Sequence, residues 1–554
     1  MKTLKYLALA LFAPAVAHGQ QMPNAGSQLQ QLPQPQIRNT PEPEFDIAPR
    51  LPTVAPAPGG PSVHVVTLHV AGEAAFSEAE LVKASGFVAG ANLTLQQMRD
   101  LAARIADLYH RQGYFLAQTY LPEQDVQDGS VTISVIEGHY GKIDIHNQAR
   151  IADQVPAGVL HGLKAGDPII NAPLERRLLL LSDIPGVRVK STLAPGAAVG
   201  TSDLTVTLAR GPLISGDVEA DNAGSRYTGI YRFGGTINVN NPLGIGDQFS
   251  LRGLGSDGGL AYLRASYQVP LDKLTVGIAY AHLHYSLGRE FAALDGTGTA
   301  DIFSAYGSYP LVRSRRANLY ALANVDYKLL HDRVGVVSTH LDRRITAATF
   351  GLAGDSRDTL GGGGSNVYSL GWTIGKLNIR SPIDRAIDAA TARSEGTYNK
   401  VQGGFSRNQA IAGPLSLFVS VRGQAAFKNL DSSEKIELGG AYGVRAYPEG
   451  EAFGDSGYIA TIEPRLMLGG DSRRLPGRFE LIAFVDTGEI RFAHDPWFSG
   501  SNHARRSGYG VGVNWAGPEG LLVRVSYARR LGTGPATSAP MKDGRFWFQV
   551  VKQF

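Results

Sequence analysis

Leu521-Leu522-Val523-Arg524-Val525-Ser526-Tyr527-Ala528-Arg529-Arg530 is the stretch on which the fold turns. Leu521, Val523, Val525 and Tyr527 alternate with Leu522, Arg524, Ser526, Ala528 and Arg530, the period of a strand with one apolar and one polar face. Leu415 to Gln424 repeats the pattern: Leu415, Leu417, Val419 and Val421 alternate with Ser416, Phe418, Ser420, Arg422 and Gln424. Each stretch is about ten residues, the length of a tilted strand crossing a bilayer. Arg524 and Arg530 lie on the face opposite the apolar one, as a polar lumen requires. A soluble sandwich that buries its apolar face alternates in the same way, so the period leaves both architectures open.

From Pro212 to Phe554 such segments recur between turn residues and the helical period disappears. The chain ends Phe546-Trp547-Phe548-Gln549-Val550-Val551-Lys552-Gln553-Phe554, an alternating strand closed by an aromatic. A last strand ending in Phe is the usual address read by the barrel-assembly machinery, which makes Phe546, Phe548 and Phe554 the expected assembly signal. Residues 211–554 suffice for a transmembrane antiparallel β-barrel of about 16 strands, at roughly 21 residues for each strand and its loop.

The amino terminus sets the compartment. Lys2 and Lys5 precede an apolar run from Tyr6 to Val16, and small residues follow, so residues 1–19 read as a secretory signal peptide cut after Ala17 or Gly19. No later apolar run reaches the roughly 18 residues of a spanning helix. The 554 residues include no cysteine, so stability must come from large cores or a closed sheet rather than from disulfides. Gly 67 and Tyr 22 suit a barrel and a large secreted β-protein equally well. The net charge of +4 is mild and scattered. Its one basic run, Arg313-Ser314-Arg315-Arg316, reads as a strand-end or loop cap rather than a nucleic-acid patch.

Residues 20–61 are rich in Gln and Pro and are expected to form an extended, mobile linker, in which only Gly26 to Leu32 can make helical turns before Pro33. Residues 62–210 hold a tandem repeat of element order. The first copy, 62–138, reads as strand Val63–Val70, a short helix at Ser77–Ala84, a helix from Leu95 to Gln112, and strands Tyr114–Leu121 and Ser130–Ile136. In the long helix, apolar residues fall on one face, and Thr94 with Gln97 makes the capping-box pattern. The second copy, 139–210, reads as strand Gly141–His146, helices at Ala152–Leu163 and Leu174–Ser182, and strands Val187–Leu193 and Asp203–Leu208. Two α+β units of order β-α-α-β-β therefore precede the barrel.

Several stretches resemble the outer-membrane transporters of two-partner secretion, the haemolysin secretion/activation proteins. Tyr109 to Ala117 with Tyr120-Leu121-Pro122 resembles the end of that family's first POTRA helix and its next strand. Asp221 to Gly229 and Asn241 to Asp247 resemble its first barrel strand and loop. Lys428 to Lys435 leads through Gly439-Gly440 to Val444-Arg445-Ala446-Tyr447, which resembles the Val-Arg-Gly-Tyr tip of the family's sixth loop, here expected near residues 431–457. Ala446 stands where the family has Gly. Phe484-Val485-Asp486-Thr487-Gly488 matches its Phe-x-Asp-x-Gly barrel-wall motif through Phe484, Asp486 and Gly488.

The resemblance implies two POTRA domains in the periplasm, a 16-stranded barrel, and a sixth loop folded into the pore with Arg445 paired to Asp486. A guanidinium forking onto one carboxylate is a physical means of fixing such a loop. The resemblance further implies export of an unfolded partner exoprotein (a haemolysin, adhesin or contact-dependent toxin), and leaves open whether the cargo is activated as well as exported. Barrel-assembly machinery and outer-membrane lipid are the other implied partners, with no nucleic acid and no cofactor. An assembly factor that inserts other barrels is the alternative, though the main ones carry more POTRA units. A full plug helix, which some members place in the pore, is not expected from Gly26–Leu32.

No enzyme reading gathers support. Gly454-Asp455-Ser456-Gly457 imitates a protease nucleophile segment without a fitting histidine motif. His282 and His284 share a strand face but lack a third metal ligand, and are expected in the lumen or at an interface. Gly361-Gly362-Gly363-Gly364-Ser365 lacks the Lys-Ser/Thr and helix of a phosphate cradle.

Overall fold

The computed structural model describes residues 22–32, 44–47, 61–126, 128–469, 471–472, 475–532 and 534–554. The expected signal segment, 1–19, lies outside the described residues, as does most of the Gln/Pro-rich stretch. One compact unit contains residues 44–47 and 61–212, and another contains a short helix near residue 25 with nearly all residues from 213 onward.

In the first unit the expected strand Val63–Val70 is two strands, β2 (Ser62–Val65) and β3 (Thr67–Ala71). The break falls at Val66, where the amides of Val66 and Thr67 both donate to the Gly129 carbonyl. β2 pairs with β4 (Ala91–Thr94), and β3 pairs in parallel with β6 (Ser130–Ile136). Helices α2 (Glu78–Ser85) and α3 (Leu95–Arg111) lie between these strands in the chain. The Thr94–Gln97 capping box is formed, and Met98, Leu101, Ala102, Ile105 and Tyr109 form the buried face of α3. The expected strand Tyr114–Leu121 shrinks to β5 (Gln118–Tyr120), because Tyr114 closes a turn onto the Tyr109 carbonyl and packs edge-on to that ring.

Glu137 is buried, and its Oε1 accepts from the Tyr109 hydroxyl at 2.9 Å and from the amides of Ala74 and Ala75, both at 2.7 Å. Burial, and then this bond to Glu137, hold the Tyr109 hydroxyl well above the ordinary phenol range. Tyr109→Phe is expected to destabilise this domain by about 1–2 kcal/mol, the cost of removing one donor from a buried carboxylate. Hydrogen exchange across 95–111 in the full chain should accelerate accordingly, and unchanged exchange would contradict the assignment.

The second repeat consists of β7 (His139–Asn147), α4 (Gln154–Leu160), α5 (Asn171–Ser182), β8 (Val187–Pro195) and β9 (Thr201–Arg210). α5 starts three residues earlier than the reading that placed its start after Pro173. A proline in the first turn removes only an amide that has no intrahelical partner. The sheet runs β1-β8-β9-β7, and its first member is unexpected: β1 (Glu44–Ile47) comes from the supposed mobile linker. It pairs in parallel with Lys190–Leu193 and so covers the β8 edge.

The second unit is a closed barrel of sixteen strands, β10 to β25. They are Ile214–Asp221, Arg232–Asn240, Gln248–Ser256, Leu260–Leu271, Leu274–Ser286, Gly296–Arg313, Ala317–Val334, Thr339–Asp358, Gly364–Ile379, Gly396–Ala412, Leu415–Ala426, Ser456–Leu468, Arg478–Arg491, His503–Ala516, Leu521–Leu531 and Gly544–Gln553. The barrel closes between β10 and β25 from Asp217↔Gln553 to Asp221↔Gln549, extended by reciprocal backbone bonds between Gly216 and Phe554. Alternation sorts the side chains as the sequence predicts. On β14, Ala279, Ala281, Leu283 and Tyr285 are buried inward, while Ile278 and Tyr280 are exposed outward. Such an outer apolar band with a filled or polar interior is the form of a membrane barrel.

The interior holds a helix that the sequence reading discounted. α1 (Ala25–Gln30) is capped by an Asn24–Ser27 capping box and packs against the inner face of the wall, with Ala25 in one cluster with Leu283, Tyr285, Ala300, Leu330 and Ile345. It is short, as Pro33 demands, but four of its first residues are fully buried. Hydrogen bonds at both ends hold it there, so length is not what keeps it in the lumen.

Candidate functional site

Residues 427–455 connect β20 to β21 and fold into the barrel. A two-residue ladder, Ile436↔Gly454 and Glu437↔Phe453, closes the base of this sixth loop. At its tip the Val444 amide donates to the Leu438 carbonyl at 3.0 Å and the Tyr447 amide donates to the Val444 carbonyl at 3.0 Å. Gly443 is required there, because a Cβ would stand 2.6 Å from the Leu438 carbonyl oxygen.

The structure brings Arg445 and Asp486 together. Arg445 Nε donates to Asp486 Oδ2 and Nη2 donates to Oδ1, both at 2.8 Å, while the Arg445 amide donates to Oδ2 at 3.1 Å. Its remaining nitrogen, Nη1, donates to Glu463 Oε2 at 2.9 Å. The guanidinium lies 3.3 Å from the centroid of the Phe484 ring. Phe484, Asp486 and Gly488 alternate along β22 and all face the loop: Phe484 lies under Arg445, Asp486 takes the fork, and Gly488 leaves room for Leu438, whose Cδ1 would lie 2.7 Å from a Cβ. Ala446 in the usual glycine place is not at positive φ, and the wall accommodates its methyl group because Gly508 opposite has none.

Tyr447 is fully buried, and its hydroxyl donates to the Gly534 carbonyl at 3.3 Å. Of the carboxy-terminal aromatics, Phe546 and Phe554 are exposed outward and Phe548 is half-buried on the same face. Trp547 between them points inward and donates from Nε1 to the Arg445 carbonyl at 2.7 Å. Sequence reading missed Trp547, whose only signal was its opposite parity to the three Phe residues.

Sequence reading also missed a second cluster. Arg343, buried on β17, donates from Nη1 to Asp431 Oδ2 of the loop at 2.5 Å and from Nη2 to Asp332 of β16. Asp332 Oδ1 accepts from the Ala25 amide at 2.8 Å and from the Tyr285 hydroxyl at 2.6 Å. One arginine therefore links the loop to the acceptor of the first helical residue of α1. Ser432 Oγ donates to Asn24 Oδ1 at 2.7 Å, Gln30 donates to the Ser433 carbonyl, and Gly26 is needed because a Cβ would stand 2.6 Å from the Ser433 amide. Arg232 fixes the other end of α1 by donating to the Gln31 carbonyl at 2.8 Å.

Glu434 completes the join between Lys328 Nζ at 2.6 Å and Lys400 Nζ at 2.9 Å. Burial opposes its charge, but the two lysines outweigh burial and bring its pKa to about 2. Burial, and then the neighbouring Glu449 carboxylate, push Glu437 above the ordinary carboxylate range.

Arg343→Gln leaves Asp332 and Asp431 buried beside each other without their cation, so plug and loop should loosen together. Open-pore events in planar bilayers are expected to become at least about fivefold more frequent, the ratio that corresponds to about 1 kcal/mol. An unchanged open probability would show that this arginine does not hold the pore shut.

The discounted enzyme motifs have structural places. Asp455 is fully buried and accepts from Lys435 and from the amides of Leu430 and His494, and Ser456 Oγ accepts from the Ala426 amide. They tie down the loop base. His282 and His284 do not face the lumen: they share the outward face of β14 with Ile278 and Tyr280, and His282 Nδ1 lies 2.8 Å from Asp301 Oδ1.

Residues 200–515 match the family described as Haemolysin secretion/activation protein ShlB/FhaC/HecB, and residues 63–138 match the POTRA domain, ShlB-type. The Heme/hemopexin transporter protein HuxB of Haemophilus influenzae (strain 86-028NP) is 26% identical over 474 residues, 84% of this chain and 82% of that protein. The Outer membrane transporter CdiB of Dickeya dadantii (strain 3937) is 23% identical over 409 residues, 72% of this chain and 70% of that protein. The solved structure of CdiB from Escherichia coli covers 91% of this chain and 93% of that one with a TM-score of 0.69 at 20% identity, a likeness of fold.

Proposed function

The chain belongs to the haemolysin secretion/activation protein family, and on that premise we propose that α1 and the sixth loop are two parts of one gate across its pore. The protein is an outer-membrane translocator of two-partner secretion whose POTRA region lies in the periplasm, and its partner is a secreted exoprotein. The observation that carries the gate is Arg343, which holds Asp431 of the loop and, through Asp332, the start of α1. A cargo strand in the pore must displace both, because each is bonded to the other as well as to the wall.

Docking precedes this step. An unfolded exoprotein segment is taken up by β-augmentation on a POTRA sheet edge, where main-chain bonds accept any extended sequence. The pairing of Glu44–Ile47 with Lys190–Leu193 supports this reading, since the β8 edge already receives an extended strand in the folded chain. Folding of the cargo outside then supplies the drive. The name of HuxB points to a cargo concerned with heme/hemopexin as one candidate. During biogenesis the barrel-assembly machinery reads Phe546, Phe548 and Phe554, and outer-membrane lipid surrounds the apolar band.

Deleting the gene should remove one large exoprotein from the culture supernatant and leave other outer-membrane barrels at their normal levels. General loss of barrels would instead identify an assembly factor and overturn the reading.

A further inference from the structure

Both ends of the sixteen-stranded barrel lie at the periplasmic rim, because β10 follows the POTRA region in the chain and β25 ends against Gly216. Counting strands from there, the end of β16, the start of β17 and the end of β18 reach the outer surface. Their inward residues are Leu330, Asp332 and Val334, then Arg343 and Ile345, then Leu377 and Ile379, all buried. The residues between them must therefore face outward.

Those outward positions are rich in arginine, lysine and histidine. Arg333 and His331 lie at the end of β16, His340 and Arg344 at the start of β17, and Lys376 near the end of β18, with Arg380 just after it. Cross-strand register makes them one patch, with Arg333 opposite His340, His331 opposite Asp342, and Arg344 opposite Asn378. Asp342 is the only carboxylate among these positions, and it lies 2.8 Å from His331 Nδ1. Arg333, His340, Lys376 and Arg380 are exposed, and among the described residues no carboxylate pairs with them. Arg344 stacks on Tyr327, its carbon 5.5 Å from the ring centroid.

Directly below on the same faces come Val325, Phe350, Leu370 and Trp372, all exposed and apolar. Lys376 is four residues above Trp372 and Arg344 six above Phe350, which is about 13 to 20 Å along a strand. That places the cations at the headgroup level of the outer leaflet, directly above the band that contacts acyl chains.

We propose that this patch binds a bis-phosphorylated glycolipid of the outer leaflet, of the lipid A class, through its phosphates. Four basic side chains at the ends of three adjacent strands, Arg333, Arg344, Lys376 and Arg380, match two phosphates on a disaccharide, and the apolar residues below match several acyl chains. A soluble anion would use only the upper half of this surface. The patch lies on the outside of the barrel wall, so the inference needs the outer-membrane location but neither the gate nor the docking model.

The test uses the purified full chain in detergent micelles. Bis-phosphorylated lipid A, dephosphorylated lipid A and phosphatidylglycerol are titrated separately against the wild-type protein. Saturable binding of the bis-phosphorylated lipid, at least about tenfold tighter than either other lipid, is expected. Equal affinity for all three would overturn the proposal, and this comparison requires no variant to fold. The triple substitution Arg333→Gln, Lys376→Gln and Arg380→Gln should then weaken bis-phosphorylated lipid A by roughly a hundredfold, at about fivefold per surface charge. Undiminished affinity in a variant that still runs as a heat-modifiable barrel would equally overturn it. Export is not the readout, so failure of the gate reading leaves this result intact.

Discussion

Arg445→Ala is expected to cut exoprotein release by at least about tenfold while the barrel remains in the outer membrane. The argument rests on what the arginine leaves behind. Asp486 is fully buried and Glu463 nearly so; Asp486 takes its counter-charge from this one side chain, and Glu463 shares it between Arg445 and Arg465. Removing one member of a buried pair strands the other, at a cost on the order of 3–5 kcal/mol. Thr461 Oγ1 still donates to Asp486 at 2.9 Å and Arg465 Nε still donates to Glu463 at 2.9 Å, so the wall itself keeps partial satisfaction. The loop tip keeps only its main-chain bonds, from the residue 445 amide to Asp486 and from Trp547 Nε1 to the residue 445 carbonyl. It loses three side-chain bonds and the stack on Phe484, and it can no longer return to one defined position between passages.

The barrel should survive because its closure depends on backbone ladders through sixteen strands, none of which includes the loop tip. Arg445→Lys should fall between wild type and Ala, since an ammonium keeps the charge but cannot fork. Immunoblots of exoprotein in the medium and of the transporter in the outer-membrane fraction separate the two effects. Secretion at the wild-type level in Arg445→Ala would sink the role given to the loop.

The lock was legible in the sequence because both halves are compact local motifs, Val444 to Tyr447 and Phe484 to Gly488, and because strand period two places Phe484, Asp486 and Gly488 on one face. The join between plug and loop was not. Asn24 and Ser27 announce a helix start, but the partner of the Ala25 amide is Asp332, 307 residues away. Nothing local distinguishes Asp332 and Arg343 from the outward Asp342 and Arg344 beside them except parity. Parity becomes informative only once the inner face of each strand is known. The same ambiguity put His282 and His284 in the lumen or at an interface, although their spacing correctly placed them on one face. A buried six-residue helix is hard to read for another reason: its apolar content is small, and hydrogen bonds to distant strands do the holding.

The break at Val66 and the strand at Glu44–Ile47 share a cause. Val63–Val70 is rich in β-branched residues and reads as one strand, but two short partners, β4 and β6, divide it between them. Glu44–Ile47 pairs with a strand about 145 residues later, where only the vacant edge of β8 calls for it.

Deleting residues 62–210 is expected to abolish secretion entirely while leaving the barrel inserted. The deleted segment has its own two cores, one around Leu81, Ile105 and Ile133 and one around Leu174, Leu181 and Leu204, so its removal does not open a cavity in the barrel. What disappears is every sheet edge on which a cargo strand can align. The edges are not equivalent. β5 is three residues long, too short to hold much of a strand, and β8 is already covered by Glu44–Ile47. Among the described residues, β7, nine residues with β9 on one side, is the longest edge not covered by a strand along its length. Replacing Glu44–Ile47 by Gly-Ser-Gly-Ser should therefore have the opposite sign to the deletion. It frees the β8 edge by lowering the strand tendency of the linker, and binding of unfolded exoprotein to the purified full chain should tighten. Secretion that persists without 62–210 would show that the cargo enters the barrel undocked. Cargo affinity unchanged by the linker replacement would assign docking to β7 instead of β8.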